Sequence, residues 1–328
     1  MSVRALYRAI SIPGAAAPYA SAALKVYYPA CYGGSEEERN SGVIPAASQG
    51  APFPVTIIMP GINVGPESYA WLARELATHG IVTVTYTLVA EEMPGYISLT
   101  PGLALPPLLP DHYGQSPSAT ALAPMIEDLG KLNAEGVLAG LLDLDRIILG
   151  GHSAGGTVAL LNARSDWFPG LCAIFTYGAH VGAATALGYA PHSLYPLQPD
   201  LPLLIMGGTR DGCIAHSAQR YGPDEVSSPT ALVERTFDEA ISRDRGDCYL
   251  ALVEGANHFS LSWPHDDSTG RPFIDLPTSG SDEGIRGLLA NLVIQFIAAT
   301  ARGDEQARAR LETILLQPQG FISRGDRR

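Results

Sequence analysis

The residues from Arg146 to Leu161 constrain this chain more than any others. Arg146-Ile147-Ile148-Leu149-Gly150 is a short apolar run with strand character. It passes without a spacer into Gly151-His152-Ser153-Ala154-Gly155, after which Thr157, Val158, Ala159, Leu160 and Leu161 suit a helix packed on a sheet. In a G-x-S-x-G turn between strand and helix, the serine takes a cramped backbone conformation that side chains at the flanking positions would obstruct. Two glycines remove the obstruction, and the hydroxyl stands clear of the strand end. Ser153 is the candidate nucleophile.

The rest of the chain is read around that turn. Val3 to Ile12 and Leu24 to Tyr28 form an expected antiparallel pair at a sheet edge, followed by a solvated excursion over 31–53 that is rich in Gly, Ser, Pro and Glu. Val55 to Met59 is an apolar strand ending at Pro60-Gly61. The helix after it has Pro66 and Glu67 in its first turn, Leu72 and Leu76 on one face, and Gly80 as terminator. Ile81 to Tyr86 is the next strand, 87–117 reads as a Pro- and Gly-rich loop, and a helix lies between Ser118 and Leu142. Leu171 to Tyr177, Leu201 to Met206 and Tyr249 to Val253 are further strands. An insertion over 213–247, with a helix from Thr230 to Ser242, is a candidate cap segment, and 181–200 is another loop insertion. From about Ser281 a closing helix carries Ile285, Leu288, Leu289, Leu292, Val293, Phe296 and Ile297 at spacings of three and four. The alternation predicts an α/β fold over 1–328 as a single domain, with a mostly parallel central sheet of about eight strands flanked by helices.

In such sheets, reactive groups gather beyond the carboxyl ends of the strands. Asp211 follows the run Leu203 to Gly208, and His258 follows Tyr249 to Val253 through Glu254-Gly255-Ala256-Asn257. Serine, acid and histidine then occur in the chain order Ser153, Asp211, His258. Three strand ends can bring such residues together although they are far apart in sequence. The chemistry needs each type: a neutral serine is a poor nucleophile until a base takes its proton, and a buried carboxylate fixes the tautomer of that base. His79, His112, His180, His192, His216 and His265 compete for the role of base, but none follows a strand in the right order as cleanly. Two amide donors are also required for the charge that develops on a substrate oxygen. Ala154, next to the nucleophile, and Ile62, in the Pro60-Gly61-Ile62 turn, are the candidates, with Gly61 permitting close backbone approach.

A formal net charge of −12 and an absence of clustered Lys and Arg argue against a nucleic-acid partner. No apolar run approaches the ~20 residues of a bilayer span. The N-terminal segment, with Arg4 and Arg8 followed by Pro13 and Gly14, lacks an uninterrupted signal-peptide core, so a cytoplasmic location is the expectation. Cys31, Cys172, Cys213 and Cys248 show no metal-ligand spacing, and no metal site is expected.

The elbow Gly151-His152-Ser153-Ala154-Gly155, together with Pro60-Gly61 and the segment from Ser68 to Val82, resembles the α/β-hydrolase superfamily. Within it, the chain is similar to the dienelactone-hydrolase-like branch that holds the cutinase-type polyester hydrolases and the chlorophyllases. The resemblance covers residues 54–300 in outline and implies an eight-stranded sheet, serine-hydrolase chemistry on carboxylic esters, no cofactor, and Ile62 and Ala154 as oxyanion donors. Two departures bear on substrate. Tyr177-Gly178-Ala179-His180 stands where polyester hydrolases place a tryptophan before a histidine, and Ala154 follows the elbow serine where chlorophyllases usually carry a charged residue.

The expected substrate is a small-molecule, moderately hydrophobic ester. Gly61, Asn63, His152, His180 and Trp263 are candidate substrate contacts, and Tyr96, Tyr113, Tyr189 and Tyr195 are available from loops to line a pocket. A chlorophyllase-like esterase, a thioesterase and an acyltransferase would use the same residues. A non-catalytic ligand-binding homologue keeps the scaffold without the chemistry. Sequence leaves these alternatives open, along with oligomeric state and whether loops 87–117, 181–200 and 259–280 form a lid.

Overall fold

In a computed structural model that describes residues 2–328 apart from 94, 198, 199, 224–226, 243, 244, 318 and 319, the apolar runs assemble into one mixed sheet of ten strands. In chain order these are β1 Ser2–Ser11, β2 Ser21–Ala30, β3 Phe53–Met59, β4 Val82–Met93, β5 Tyr96–Leu99, β6 Leu142–His152, β7 Leu171–Tyr177, β8 Leu203–Gly208, β9 Cys248–Val253 and β10 Ile322–Arg327. Their spatial order is β1-β2-β4-β3-β6-β7-β8-β9-β10, with β5 paired to β4 alone. The contacts from β4 through β3, β6, β7 and β8 to β9 are parallel. Antiparallel pairs close both edges, β1 and β2 on one side and β10 on the other.

The helices are α1 Glu36–Ser41, α2 Ala70–Thr78, α3 Leu122–Ala134, α4 Ala154–Leu161, α5 Gly212–Ser217, α6 Ala231–Arg235, α7 Asp282–Ala301 and α8 Glu305–Leu316. Alternation along each central strand divides its side chains between two cores. Val55, Ile57, Ile147, Leu149, Leu203 and Ile205 meet α3, α4 and α6 through Met125, Leu129, Val158, Leu161 and Val233, with Phe237 just past α6. On the other face Ile58, Ile148, Leu204 and Met206 meet α2, α7 and α8 through Leu72, Leu76, Leu289, Val293, Phe296 and Leu311. Both faces of a parallel sheet are thereby covered, which is why its strands read as continuous apolar runs.

Four expectations are corrected. The sheet has ten strands rather than about eight, because β5 and β10 carry little strand signal. Residues 87–117 are not all loop: β4 continues to Met93 and folds back on β5 as a hairpin. The 213–247 segment is not all insertion, since its helical part is buried. Its α6 is followed by a single wide turn over Thr236–Ala240; Leu232 is buried, and Val233, Phe237 and Ala240 join the core that holds Leu203 and Ile205 of β8. Finally, α7 does reach the length and mean hydropathy of a bilayer span, contrary to the sequence estimate. Half of that stretch is buried, with Ile285, Leu289, Leu292, Val293, Phe296 and Ile297 already used against the sheet.

Candidate active site

β6 delivers Ser153 at its end, and the turn into α4 holds that residue at φ 54 and ψ −125. A positive φ is a strained position for a residue with a side chain, and it recurs where a reactive group must be aimed. The flanking glycines are needed because the turn has no room. A Cβ at Gly151 would lie 2.5 Å from the Gly156 Cα, and one at Gly155 would lie 2.2 Å from the Met59 carbonyl oxygen at the end of β3. The same contact sets the Pro60-Gly61 turn directly beside the elbow, where a Gly61 Cβ would come within 3.2 Å of the Ser153 Cβ.

Three strand ends converge on Ser153. Past β8, Asp211 caps α5, its Oδ1 accepting from the Ile214 amide at 2.8 Å. Its Oδ2 lies 2.8 Å from His258 Nδ1. Past β9, His258 begins a short 3₁₀ turn, His258–Leu261, and its Nε2 lies 2.9 Å from Ser153 Oγ. Asp211 is fully buried and His258 only 5 % exposed. A carboxylate can only accept, so Nδ1 carries a proton toward Asp211 and Nε2 is the free acceptor for the serine hydroxyl. Burial alone would push the His258 pKa down, but the charge and hydrogen bond of Asp211, helped by the charge of Asp275, overcome it and hold the pKa above the ordinary histidine value. The arrangement can take a proton from Ser153 and stabilise the imidazolium that results.

The structure adds residues to this site that sequence reasoning missed. At the end of β7, Gly178 has φ 59, and a Cβ there would crowd both Asp211 Oδ2 and His258 Nδ1 at 3.1 Å. Only the composition around Tyr177-Gly178 hints at it. Asp275 sits in the loop after His258. Its carboxylate accepts from the Gly212 amide at 2.8 Å and faces the Phe259 amide at 3.4 Å, pinning α5 and the histidine turn together. Burial, then the negative charge of Asp211, raises the pKa of Asp275. Tyr69 is the third, and its hydroxyl lies 2.9 Å from His152 Nδ1.

The remaining sequence candidates divide. Among the described residues, the amides of Ile62 and Ala154 donate to no protein acceptor. Gly61 spends its own N–H on the Tyr69 hydroxyl at 2.9 Å. Asn63, at φ 57, is a bracket: its Oδ1 accepts from Leu99 of β5 and its carbonyl from Thr269. His152 is completely buried, which removes it from direct substrate contact. His180 is also buried, with Nδ1 accepting from the Gly182 amide and its ring edge-on to Tyr221 at 4.7 Å. Trp263 turns toward a surface groove of about 720 Å³ between α2 and α7, where the Arg286 guanidinium stacks on it at 4.7 Å. Tyr113, Tyr189 and Tyr195 pack on one another and hydrogen-bond the carbonyls of Leu108 and Pro196. They hold their loops to each other, and Tyr113 lines a small cavity of about 290 Å³ with Leu160, Arg164, Trp167 and Pro196, none of which belongs to the Ser153 site.

Asp211, Cys213 and His258 are the one group of metal-ligating side chains brought together among the described residues, within 4.8 Å of one another. Asp211 and His258 already satisfy each other, and burial pushes the Cys213 thiol pKa up, away from the thiolate a metal requires. All four cysteines are free thiols. No protein-family model matches the chain, and no curated protein matches it.

Proposed function

We propose that this protein is a serine hydrolase of the α/β-hydrolase type that cleaves a carboxylic ester through an acyl-enzyme. The observation that carries the reading is the continuous hydrogen-bonded run from Ser153 Oγ through the His258 imidazole to Asp211, built on a serine at positive φ. Ser153 Oγ attacks the ester carbonyl carbon while its proton passes to His258 Nε2. The oxygen that gains charge is received by the Ile62 and Ala154 amides, each donor of this kind lowering the barrier by roughly 3 kcal/mol. Collapse of the tetrahedral species breaks the bond to the alcohol oxygen, which takes the proton back from His258. Water then attacks acyl-Ser153, again deprotonated by His258, and the carboxylic acid leaves with Ser153 regenerated.

An apolar ester suits the surroundings. The β4–β5 hairpin, tied through Leu99 to Asn63 beside the oxyanion turn, exposes Tyr96 and Ile97. The turn Pro272–Ile274, immediately before Asp275, exposes Phe273 at 81 %. The purified protein is expected to hydrolyse p-nitrophenyl esters with a burst of one nitrophenol per active serine. An added alcohol or thiol should compete with water for the acyl group rather than be required. No release from any acyl length by folded protein would count against ester hydrolysis, and strict dependence on the added acceptor would make the protein a transferase.

A further inference from the structure

Gly61, Tyr69, His152 and His258 form a buried hydrogen-bond chain whose direction is fixed by what each group can do. The Gly61 N–H can only donate, so the Tyr69 oxygen accepts it at 2.9 Å. Tyr69 then gives its own hydrogen to His152 Nδ1 at 2.9 Å. That leaves the His152 proton on Nε2, which donates to the His258 backbone carbonyl at 2.9 Å. Each protein end of the chain adjoins a reacting part. Gly61 precedes the Ile62 amide, His152 precedes Ser153, and the last acceptor belongs to the base itself. The ring of His152 also lies against the His258 ring, centroids 4.9 Å apart and tilted by 45°. Tyr69 closes a 3₁₀ turn, Pro66–Tyr69, that leads into α2, and the pair is fastened to the segment after His258 by Trp263 N–H to Ser68 O at 2.7 Å and by Trp71 Nε1–H of α2 to Leu261 O at 3.0 Å.

We infer that Tyr69 and His152 are positioning residues that set the oxyanion turn, the nucleophile and the base at their working separation, an inference that rests on the ester-hydrolase reading above. Neither touches substrate. Both stay neutral through the range in which His258 titrates. Burial, and then the neighbouring His258, takes the His152 pKa down to about 3, and burial pushes that of Tyr69 up. A neutral His152 places no second positive charge against the imidazolium that forms 4.9 Å away. Tyr69→Phe keeps the ring and its packing but leaves the Gly61 N–H and His152 Nδ1 without partners. Misplacement of reacting groups by about 1 Å costs on the order of 100-fold in rate.

The test compares wild type, Tyr69→Phe, His152→Gln and His152→Leu, with activity expressed per serine titrated by a p-nitrophenyl phosphonate. In Tyr69→Phe, kcat is expected to fall by about 10–100-fold with KM nearly unchanged. The acid limb of its pH profile should stay where wild type has it, because the Asp211–His258 pair is intact. His152→Gln retains an amide able to donate to the His258 carbonyl and should keep more activity than His152→Leu. A Tyr69→Phe enzyme whose kcat per titrated serine matches wild type, with only its melting temperature lowered, would make the chain a packing element and overturn the inference. Failure of both Tyr69→Phe and His152→Gln to fold would do the same. If wild type hydrolyses no ester and binds no phosphonate, the hydrolase reading itself fails, a result distinct from either.

Discussion

Ser153→Ala is expected to lower ester turnover by about 10⁴-fold or more while leaving the fold intact. The alanine methyl fits wherever the serine side chain did, and the turn geometry is set by Gly151, Gly155 and the carbonyl of Met59 rather than by the hydroxyl. What disappears is the hydroxyl 2.9 Å from His258 Nε2 that the proposed mechanism acylates. The residual rate should be that of water placed against the Ile62 and Ala154 amides. Steady-state assays with p-nitrophenyl esters, together with circular dichroism to show a native fold, check this. Turnover equal to wild type would remove Ser153 from the reaction.

Asp211→Asn gives the second large effect, and its sign can be worked out. An asparagine oxygen can still accept from the Ile214 amide, so the cap of α5 survives the change. Its NH₂ then faces His258 Nδ1 and must donate, which moves the imidazole proton to Nε2 and leaves nothing to receive the Ser153 proton. The expected loss in kcat is about 10⁴-fold. The pH profile should move as well. In wild type the raised pKa of His258 puts the acid limb of kcat/KM above the free-histidine value of about 6.5. Without the Asp211 charge, burial is the dominant influence left on His258, and it lowers the pKa, so the limb of the residual activity should shift to lower pH. A limb that stays in place would mean that Asp211 does not set the protonation of His258.

Much of this site is legible in sequence for a physical reason. Ser153, Asp211 and His258 each follow an apolar run buried on both faces, and a parallel sheet sends the ends of such runs to one edge. Chain order and strand position therefore locate them without any knowledge of contacts. The turn proposed to supply an oxyanion donor is legible on the same grounds, since Pro60-Gly61 ends the apolar run of β3. What escapes is whatever acts through a tertiary partner. Tyr69 stands at helical spacing from Leu72 and Leu76, and nothing local marks it as more than a core residue. It is core, and only its hydroxyl, facing a histidine 83 positions away, gives it a further part. His152 reads as a site residue from its place in the elbow, but burial assigns it to the scaffold behind the site.

The fold divides along similar lines. The interior strands were legible because both faces are apolar. β10, Ile-Ser-Arg-Gly-Asp-Arg, is a polar edge strand specified by pairing with β9 and by a close approach in which a Gly325 Cβ would meet the Leu315 carbonyl at 2.0 Å. Neither cause is local, so neither leaves a periodic trace. The β4–β5 hairpin escapes the sequence reading because a segment rich in Pro and Gly does not suggest a strand that runs on through Thr87, Leu88 and Val89.

The central claim is that Ser153 is activated by His258 and Asp211 for attack on an acyl carbon. Treatment of the folded protein with a p-nitrophenyl phosphonate, followed by peptide mapping by mass spectrometry, tests it most directly. The account predicts a single adduct on Ser153 that forms faster as pH rises through the His258 titration and much more slowly in Asp211→Asn. Adduct formation at another residue, or none at all by native protein, would contradict it.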